Sequence, residues 1–457
     1  MRIYFIFISL LFNTYLLNAQ DTLNSIFKYS EFIEIVKSHH PIAIQANSKG
    51  AEGEYYVRKA KGGFDPKLEG SMQQKYYDNK QYYSYINGGL KIPTWFGIEA
   101  FVGYNENDGV RLNNEAYTPV NGLWNAGVSV NLGRGLFIDE RRAELKQAAY
   151  LKSSSELEKT IILNQLIYDA TNAYLEWNKS YEKLMLYEKS VLNIEERFRN
   201  TMQSVILGDK PALDTLKVSI QLQDRTIKLE QAKVDLLNKT NQLNIFLWQD
   251  GLIPLELSEN LTPLVDISVN YNDFNIDQHP EILMADNNIS IIDIDFRLKK
   301  EALKPTVQVK YNALGNDDGN GFAQNYNVLN YQWGASISYP IFTRKERANV
   351  KLTELKLNQN KAKLEFKKAN VLYKFESTKN QLNSFSNQLT LQQNAVTLCE
   401  KLLIAEQTLF NQGESYMFLV NTRDNQLIES QLKLIDMQYE IGMTKALLNY
   451  STMNSIN

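Results

Sequence analysis

The side chains best suited to chemistry are few and badly placed for it. The chain of 457 residues has three His (His39, His40, His279) and one Cys, Cys399. That is too few for a zinc site, a disulfide framework or an iron-sulfur centre. His40 and His279 each precede a Pro, where a helix start explains them better than catalysis does. No P-loop, dinucleotide glycine pattern or nucleophile elbow occurs, and no catalytic triad can be assembled. Gly133-Arg134-Gly135 is a glycine pair suited to a tight turn. Cys399 falls in a long helical stretch, where it serves as a small hydrophobe. The expectation is therefore no enzyme, no cofactor and no bound metal. With 49 Lys+Arg against 52 Asp+Glu the net charge is −3. A strongly basic surface for nucleic acid is excluded.

Aromatic residues make up 11% of the chain (26 Tyr, 20 Phe, 5 Trp), against only 22 Gly and 10 Pro. Long helices with a localised aromatic surface fit that balance better than many short strands and turns. The N-terminus has one charge at Arg2, an apolar run from Ile3 to Phe12 and a short stretch ending Asn18-Ala19-Gln20. Residues 1–20 read as an export signal, cleaved near Gln20 or Asp21, because the run is about half the roughly 20 apolar residues a membrane anchor needs. No Cys follows that region, so N-terminal lipidation is not expected.

The elements around these residues occur twice. His40-Pro41 recurs as His279-Pro280 and Pro66 as Pro305, both at an offset of 239; Phe137 recurs as Phe342 and Gly208 as Gly413, both at 205. Two offsets held over long spans mark a duplication, and 239 − 205 places 34 extra residues in the first half, between Pro66 and Phe137. The first repeat covers 21–250, a linker 251–275, and the second repeat 276–457. In the first, a helix from about Glu31 to Gly62 is broken at His40-Pro41. Strands follow over 67–137, then a long helix over 139–207 and a return helix over 212–248. In the second, a helix over 281–303 leads to strands over 306–342, a long helix over 345–412 and a return helix over 416–453. Each long helix would extend about 100 Å at about 1.5 Å per residue.

The long helices carry heptad seams: Ala170, Trp177, Leu184, Val191, Phe198 and Val205 in the first, Phe375, Leu382, Leu389, Val396, Leu403 and Phe410 in the second. The return helix has two stripes, Leu213-Ile220-Ile227-Val234 and Leu222-Leu229-Leu236-Leu243. An offset of two residues sets them about 200° apart, so that helix must touch neighbours on both flanks, as a stave does in a wall. In the strand regions, segments such as 124–132 and 333–339 alternate at period two. Aromatics, among them Tyr76, Tyr77, Trp95, Phe96, Tyr326, Tyr331 and Trp333, cluster near their ends, as in an outer-membrane barrel. Two to four strands per half cannot enclose a channel, so subunits must pool strands in a cyclic oligomer.

This ordered, duplicated set resembles the TolC family of outer-membrane efflux proteins (outer-membrane factors) over nearly all of the chain beyond the signal. The resemblance rests on the two His-Pro starts and on Pro66 and Pro305 entering strands. It rests also on the exits Asn131-Leu132-Gly133-Arg134-Gly135-Leu136-Phe137 and Tyr339-Pro340-Ile341-Phe342, and on Gly208 and Gly413 at the hairpins. It implies a mainly α fold with membrane β: duplicated long-helix hairpins forming a trimeric α-helical tunnel in the periplasm, with a shared transmembrane β-barrel in the outer membrane. It implies partners as well: a homotrimer, outer-membrane lipid, a periplasmic adaptor (membrane fusion) protein and an inner-membrane RND or ABC transporter. The hairpin tips would form the gate, with Gly208, Asp214, Phe410, Gly413, Leu419, Thr422, Arg423 and Asp424 as candidates. Family members carry two aspartates six and nine positions after the second glycine. Leu419 and Thr422 stand there instead, so the cation-binding ring is absent at the matching places. Where the family ties its closed state with Tyr and Arg, this chain has Phe410 and Ser415; the matching acid of the first hairpin is Asp214. A non-channel trimeric coiled-coil stalk is the competing reading.

Overall fold

The computed structural model describes residues 25–258, 260–269, 274–316 and 327–453. The export signal and Tyr326 lie outside these residues. β1 (Ser25–Lys28) leads into α1 (Tyr29–His39) and α2 (Pro41–Gly62). Four strands follow: β2 (Lys67–Tyr77), β3 (Lys80–Pro93), β4 (Ile98–Asp108) and β5 (Leu123–Asn131). Next come α3 (Glu140–Ile206, 67 residues) and α4 (Ala212–Asn244). Short strands β6 (Trp248–Gln249), β7 (Ile253–Pro254) and β8 (Leu261–Leu264) connect to α5 (Pro280–Glu301). β9 (Thr306–Asn316), β10 (Tyr331–Ser338), α6 (Arg344–Asn411, 68 residues) and α7 (Met417–Thr452) complete the order. The sequence of short helix, strands, long helix and return helix thus occurs twice, with four long strands in the first pass and two in the second among the described residues.

The chain divides into two compact units, neither of which coincides with one repeat. One comprises the described parts of Met1–Val36, Ala170–Ile267 and Gln388–Gly442; the other those of Lys37–Asp169, Ser268–Asn387 and Met443–Asn457. In the first, β1 pairs in parallel with β8, so the 251–275 segment, expected as a linker, carries strand structure. The return helix stops at Asn244, before the expected Trp248. The chain turns at Gly251 (φ +83°), Trp248 and Gln249 pair with Pro254 and Ile253, and the Trp248 indole donates to the Ile245 carbonyl at 2.7 Å. Phe27, Phe32, Tyr174 and Trp177 pack ring against ring, with centroids 5.4–6.3 Å apart. The Tyr174 hydroxyl donates to the Phe27 carbonyl (2.6 Å) and accepts from the Leu264 N–H (3.1 Å), joining β1 and β8 to α3. Burial raises its pKa above the usual phenol range. The expected seams are covered: Ala170, Trp177, Leu184 and Val191 on α3, and Val396 and Leu403 on α6, are buried. On α4 the two stripes differ. Leu243 is buried and Leu222, Leu229 and Leu236 are half-buried, whereas Leu213, Ile220 (69% exposed), Ile227 and Val234 face solvent.

In the second unit, α2 presents a buried stripe of small residues, Ala43, Ala46, Gly50, Gly53 and Ala60. A Cβ on Gly53 would lie 3.0 Å from Lys152 Cα, so backbone contact with α3 requires glycine there. His40 and His279 are N-caps: their Nδ1 atoms accept from the N–H of Ile42 (3.1 Å) and Glu281 (3.3 Å), and Pro fills the first helical position behind each. All six long strands form one antiparallel sheet in the order β10-β9-β5-β4-β3-β2. The β2–β3 turn is Asp78-Asn79, both at positive φ (54° and 53°), the two-residue turn whose twist matches a hairpin. Register puts Leu68, Leu90, Val102, Ala126, Ala313 and Tyr331 in one row on one face. The next row on the same face joins Ile92, Ala100, Val128, Tyr311 and Trp333. The opposite face carries Lys67, Glu69, Ser71 and Gln73 on β2, Asn87 and Lys91 on β3, Asn105 on β4, Ser129 on β5, Gln308 and Asn312 on β9, and Gln332 and Ser336 on β10.

Two outcomes follow for stability, both read by thermal scanning of the detergent-extracted protein. Tyr174→Phe strands a carbonyl and an N–H and should cost about 1–3 kcal/mol. For His279, burial lowers the ring pKa below its ordinary 6.5; Glu281 and the Ser451 backbone oppose this, while Lys367 and Lys374 reinforce it. The unfolded chain then binds the proton more tightly, so stability is complete above pH 6.5 and is lost as pH falls through the folded pKa. In His279→Asn, which keeps a capping acceptor, the fall in Tm between pH 6.5 and pH 5 should shrink.

Candidate functional site

The two hairpin tips are built from the same local rule. α3 and α6 each end in a glycine with positive φ, Gly208 at +84° and Gly413 at +80°. Asp209 N–H bonds the Ser204 carbonyl and Glu414 N–H the Leu409 carbonyl, both at 2.9 Å. Gly208 N–H bonds Val205 and Gly413 N–H bonds Phe410, at 3.1 and 3.2 Å. Donors and acceptors match at the 205-residue offset. This is a left-handed C-terminal cap, and it satisfies carbonyls a helix end leaves free. Nothing lies within 4 Å of a Cβ built on either glycine, so backbone conformation alone selects glycine there.

Both hairpins supply the core behind these turns. Ile194, Val218, Leu403, Met417 and Val420 are buried together, with Phe198, Leu222, Phe410 and Leu427 packed against them. Lys210, in the first turn, holds its ammonium 3.7 Å from the centre of the Phe410 ring. Phe410 is thus a half-buried packing residue carrying an inter-hairpin contact. Leu419 is half-buried, and Thr422 is exposed with its hydroxyl donating to the Phe418 carbonyl at 2.8 Å.

The charged candidates divide into three cases. Asp214 is buried, and Lys217 of its own helix reaches it at 3.1 Å; among the described residues no ion pair links it to the second hairpin. Arg423 faces Glu406 of α6 at 3.8 Å, and the Ser415 hydroxyl bonds the same carboxylate, so this set ties the second hairpin to itself. Of these candidates, Asp424 is the carboxylate that joins the hairpins at their tips. Arg197 of α3 approaches it at 3.4 Å and Arg225 of α4 at 3.8 Å. Arg225, only 2% exposed, also bonds the Asn425 side chain, and Arg197 reaches Asn421 at 3.5 Å.

Arg197, Arg225, Glu406, Asn421 and Asn425 were missed as site residues. Arg225 had a legible signal: Val218, Arg225 and Ala232 follow at spacings of seven, which places a guanidinium in an otherwise apolar heptad position. Among the described residues Asp424 is the carboxylate facing both the buried Arg225 and the half-buried Arg197, so Asp424→Ala should destabilise by about 3–5 kcal/mol and expose the tips to limited proteolysis. Asp214→Ala, which loses a pair within one helix turn, should cost at most about 1 kcal/mol.

No protein-family model matches the sequence, and no curated protein does. Solved structures do match. The outer-membrane protein VceC of Vibrio cholerae superposes with a TM-score of 0.66 at 13% identity, over 93% of this chain and 95% of that one. The open-state MtrE outer-membrane channel of Neisseria gonorrhoeae gives 0.66 at 12% identity, over 93% and 88%. The CmeC outer-membrane channel of Campylobacter jejuni gives 0.65 at 11%, over 93% and 86%. With helix pairs, glycine turns and a curled antiparallel sheet in the same order, this chain has the fold of the TolC outer-membrane channels.

Proposed function

We propose that the chain is an outer-membrane channel: the passive exit duct of a tripartite efflux or type I secretion system, sited in the cell outer membrane with its helices in the periplasm. The observation that carries this reading is the six-stranded sheet. One face is apolar across every strand and exposed there at Leu68, Met72, Val102, Val128, Trp333 and Ile337, while the other face is mostly polar, with Phe101 and Leu314 among its apolar residues. Such a face belongs against hydrocarbon, and a polar opposite face against water. The homotrimer is supported by the exposed stripe on α4 and by exposed apolar residues Leu391 and Leu398 on α6, which neighbouring copies would cover. The adaptor and the RND or ABC pump follow from the likeness of fold alone. The gate is proposed at the hairpin tips, with the Asp424 cluster holding the hairpins together and Gly208 and Gly413 setting the turns.

A helical stalk would need one apolar seam per helix, whereas α4 carries two. Purified protein in planar bilayers should give single-channel steps, larger in Asp424→Ala. Silence in both, with the protein inserted, would favour the stalk. Because Leu419 and Thr422 supply no carboxylates, a trivalent cation such as hexamminecobalt should leave the conductance within a factor of about two. Strong block of the unmutated channel would refute this account of the gate.

A further inference from the structure

The 34 extra residues of the first repeat have a defined place in the sheet. β2 begins directly after Pro66, as β9 does after Pro305, and β5 and β10 are the last strands before Phe137 and Phe342. The duplication therefore equates β2 with β9 and β5 with β10. What remains between them is a hairpin, β3 and β4, joined through Thr94–Gly97, where the Thr94 N–H bonds the Ile98 carbonyl at 3.0 Å and Gly97 takes φ +91°. The hairpin is inserted within the sheet: β3 pairs with β2 on one side and with β4 on the other, and β4 continues the ladder to β5.

Its side chains obey the same division as the rest of the wall. Ile86, Leu90 and Ile92 on β3 and Ile98, Ala100, Val102 and Tyr104 on β4 share the apolar face with Val128 and Trp333. Asn87, Lys91, Asn105 and Asn107 share the polar one. Were the hairpin a projection beyond the membrane, the row Leu68–Leu90–Val102 would lie in water with nothing against it. Strand directions alternate at every junction, so β10 runs opposite to β2. Among the described residues of one chain these two strands are the open edges of the sheet.

We propose that the inserted hairpin is part of the membrane wall, and that the β2 edge of one copy pairs antiparallel with the β10 edge of the next, closing an eighteen-stranded barrel. The count rests on the trimer proposed above: three copies of six strands give eighteen, where three of four, without the insertion, would give twelve. Antiparallel pairing at all three junctions requires an even number of strands per copy, and adding a whole hairpin preserves that parity. With strands about 4.8 Å apart and tilted about 40°, the backbone diameter grows from about 24 Å for twelve strands to about 36 Å for eighteen. The exit at the outer membrane is then wider than one built from two strands per repeat.

The test uses the full chain in detergent, in a Cys399→Ala background. Cysteine pairs joining β2 (Ser71→Cys or Gln73→Cys) with β10 (Gln332→Cys or Ser336→Cys) all face the polar side, and copper phenanthroline should link them into a ladder ending at the trimer. An Asn105→Cys, Gln332→Cys pair, joining β4 to β10, should stay monomeric under denaturing conditions. A reconstruction of the unmutated trimer by electron microscopy should show a barrel of about 36 Å, and deletion of Asn79–Leu112 should narrow it to about 24 Å. A ladder from the β4–β10 pair, or a barrel of about 24 Å in the full chain, overturns the proposal while leaving a conducting trimer, and with it the channel reading, intact. A monomer by native mass spectrometry overturns both.

Discussion

A strand edge in hydrocarbon has no water to bond, and in the proposed channel that constraint governs the six-stranded sheet. The sheet has one apolar face, and among the described residues β2 and β10 each keep a row of backbone donors and acceptors without a strand partner. Each such group costs several kcal/mol in a bilayer, so the sheet cannot rest there open. Six strands are also too few to curl back on themselves around a lumen. In the proposed channel, closure comes from other copies. The exposed stripe on α4 makes the same demand in water: Leu213, Ile220, Ile227 and Val234 repeat every seven residues, a seam awaiting another helix.

Duplication supplied this architecture, and the atoms record it. The two C-terminal caps use equivalent donors and acceptors at the 205-residue offset, and the two His N-caps use the same ring nitrogen on the same relative N–H. The repeats part company at the charged cluster between the hairpins. At the 205-residue offset, Asp424 corresponds to Ser219, Arg225 to Ser430 and Arg197 to Leu402. The cluster that holds one hairpin to the other therefore has no copy on the opposite side. A buried ion cluster is a poor source of net stability compared with apolar packing of the same volume, but it is unforgiving of the loss of one member. Between hairpins, that combination gives a contact that is either fully made or costly.

The inserted hairpin shows the same economy of rules. Adding two strands leaves the alternation of faces, the antiparallel order and the two chain exits into α3 and α6 unchanged. A single strand would have reversed the direction in which the chain leaves the sheet. Glycines make room for the insert: a Cβ on Gly89 or Gly103 would come within 2.6 Å of the Phe101 ring, which lies across both. The close fit across neighbouring strands is made by the insert's own residues.

Much of this was legible from the chain alone, for a definite reason. Periodicity and punctuation are local properties, so the helices, their glycine turns, the His-Pro starts and the alternating strands could be read from neighbours within a few residues. The duplication was legible because offsets survive substitution. Residues 244–255 escaped such reading, since the strand turn there follows a helical pattern without a break in hydrophobicity. The partners of the charged residues were beyond it too. Asp214 and Asp424 look alike in sequence, each early in a return helix, yet one pairs with its own helix and the other with two arginines from the first hairpin. Ion pairing depends on which helix faces lie within about 4 Å, and that is set by packing between segments some 200 residues apart. The same holds for the 34 extra residues: composition marked them as strand-like, but only the register across β2, β3, β4 and β5 decides that they enter the sheet, because pairing partners are chosen by the whole sheet.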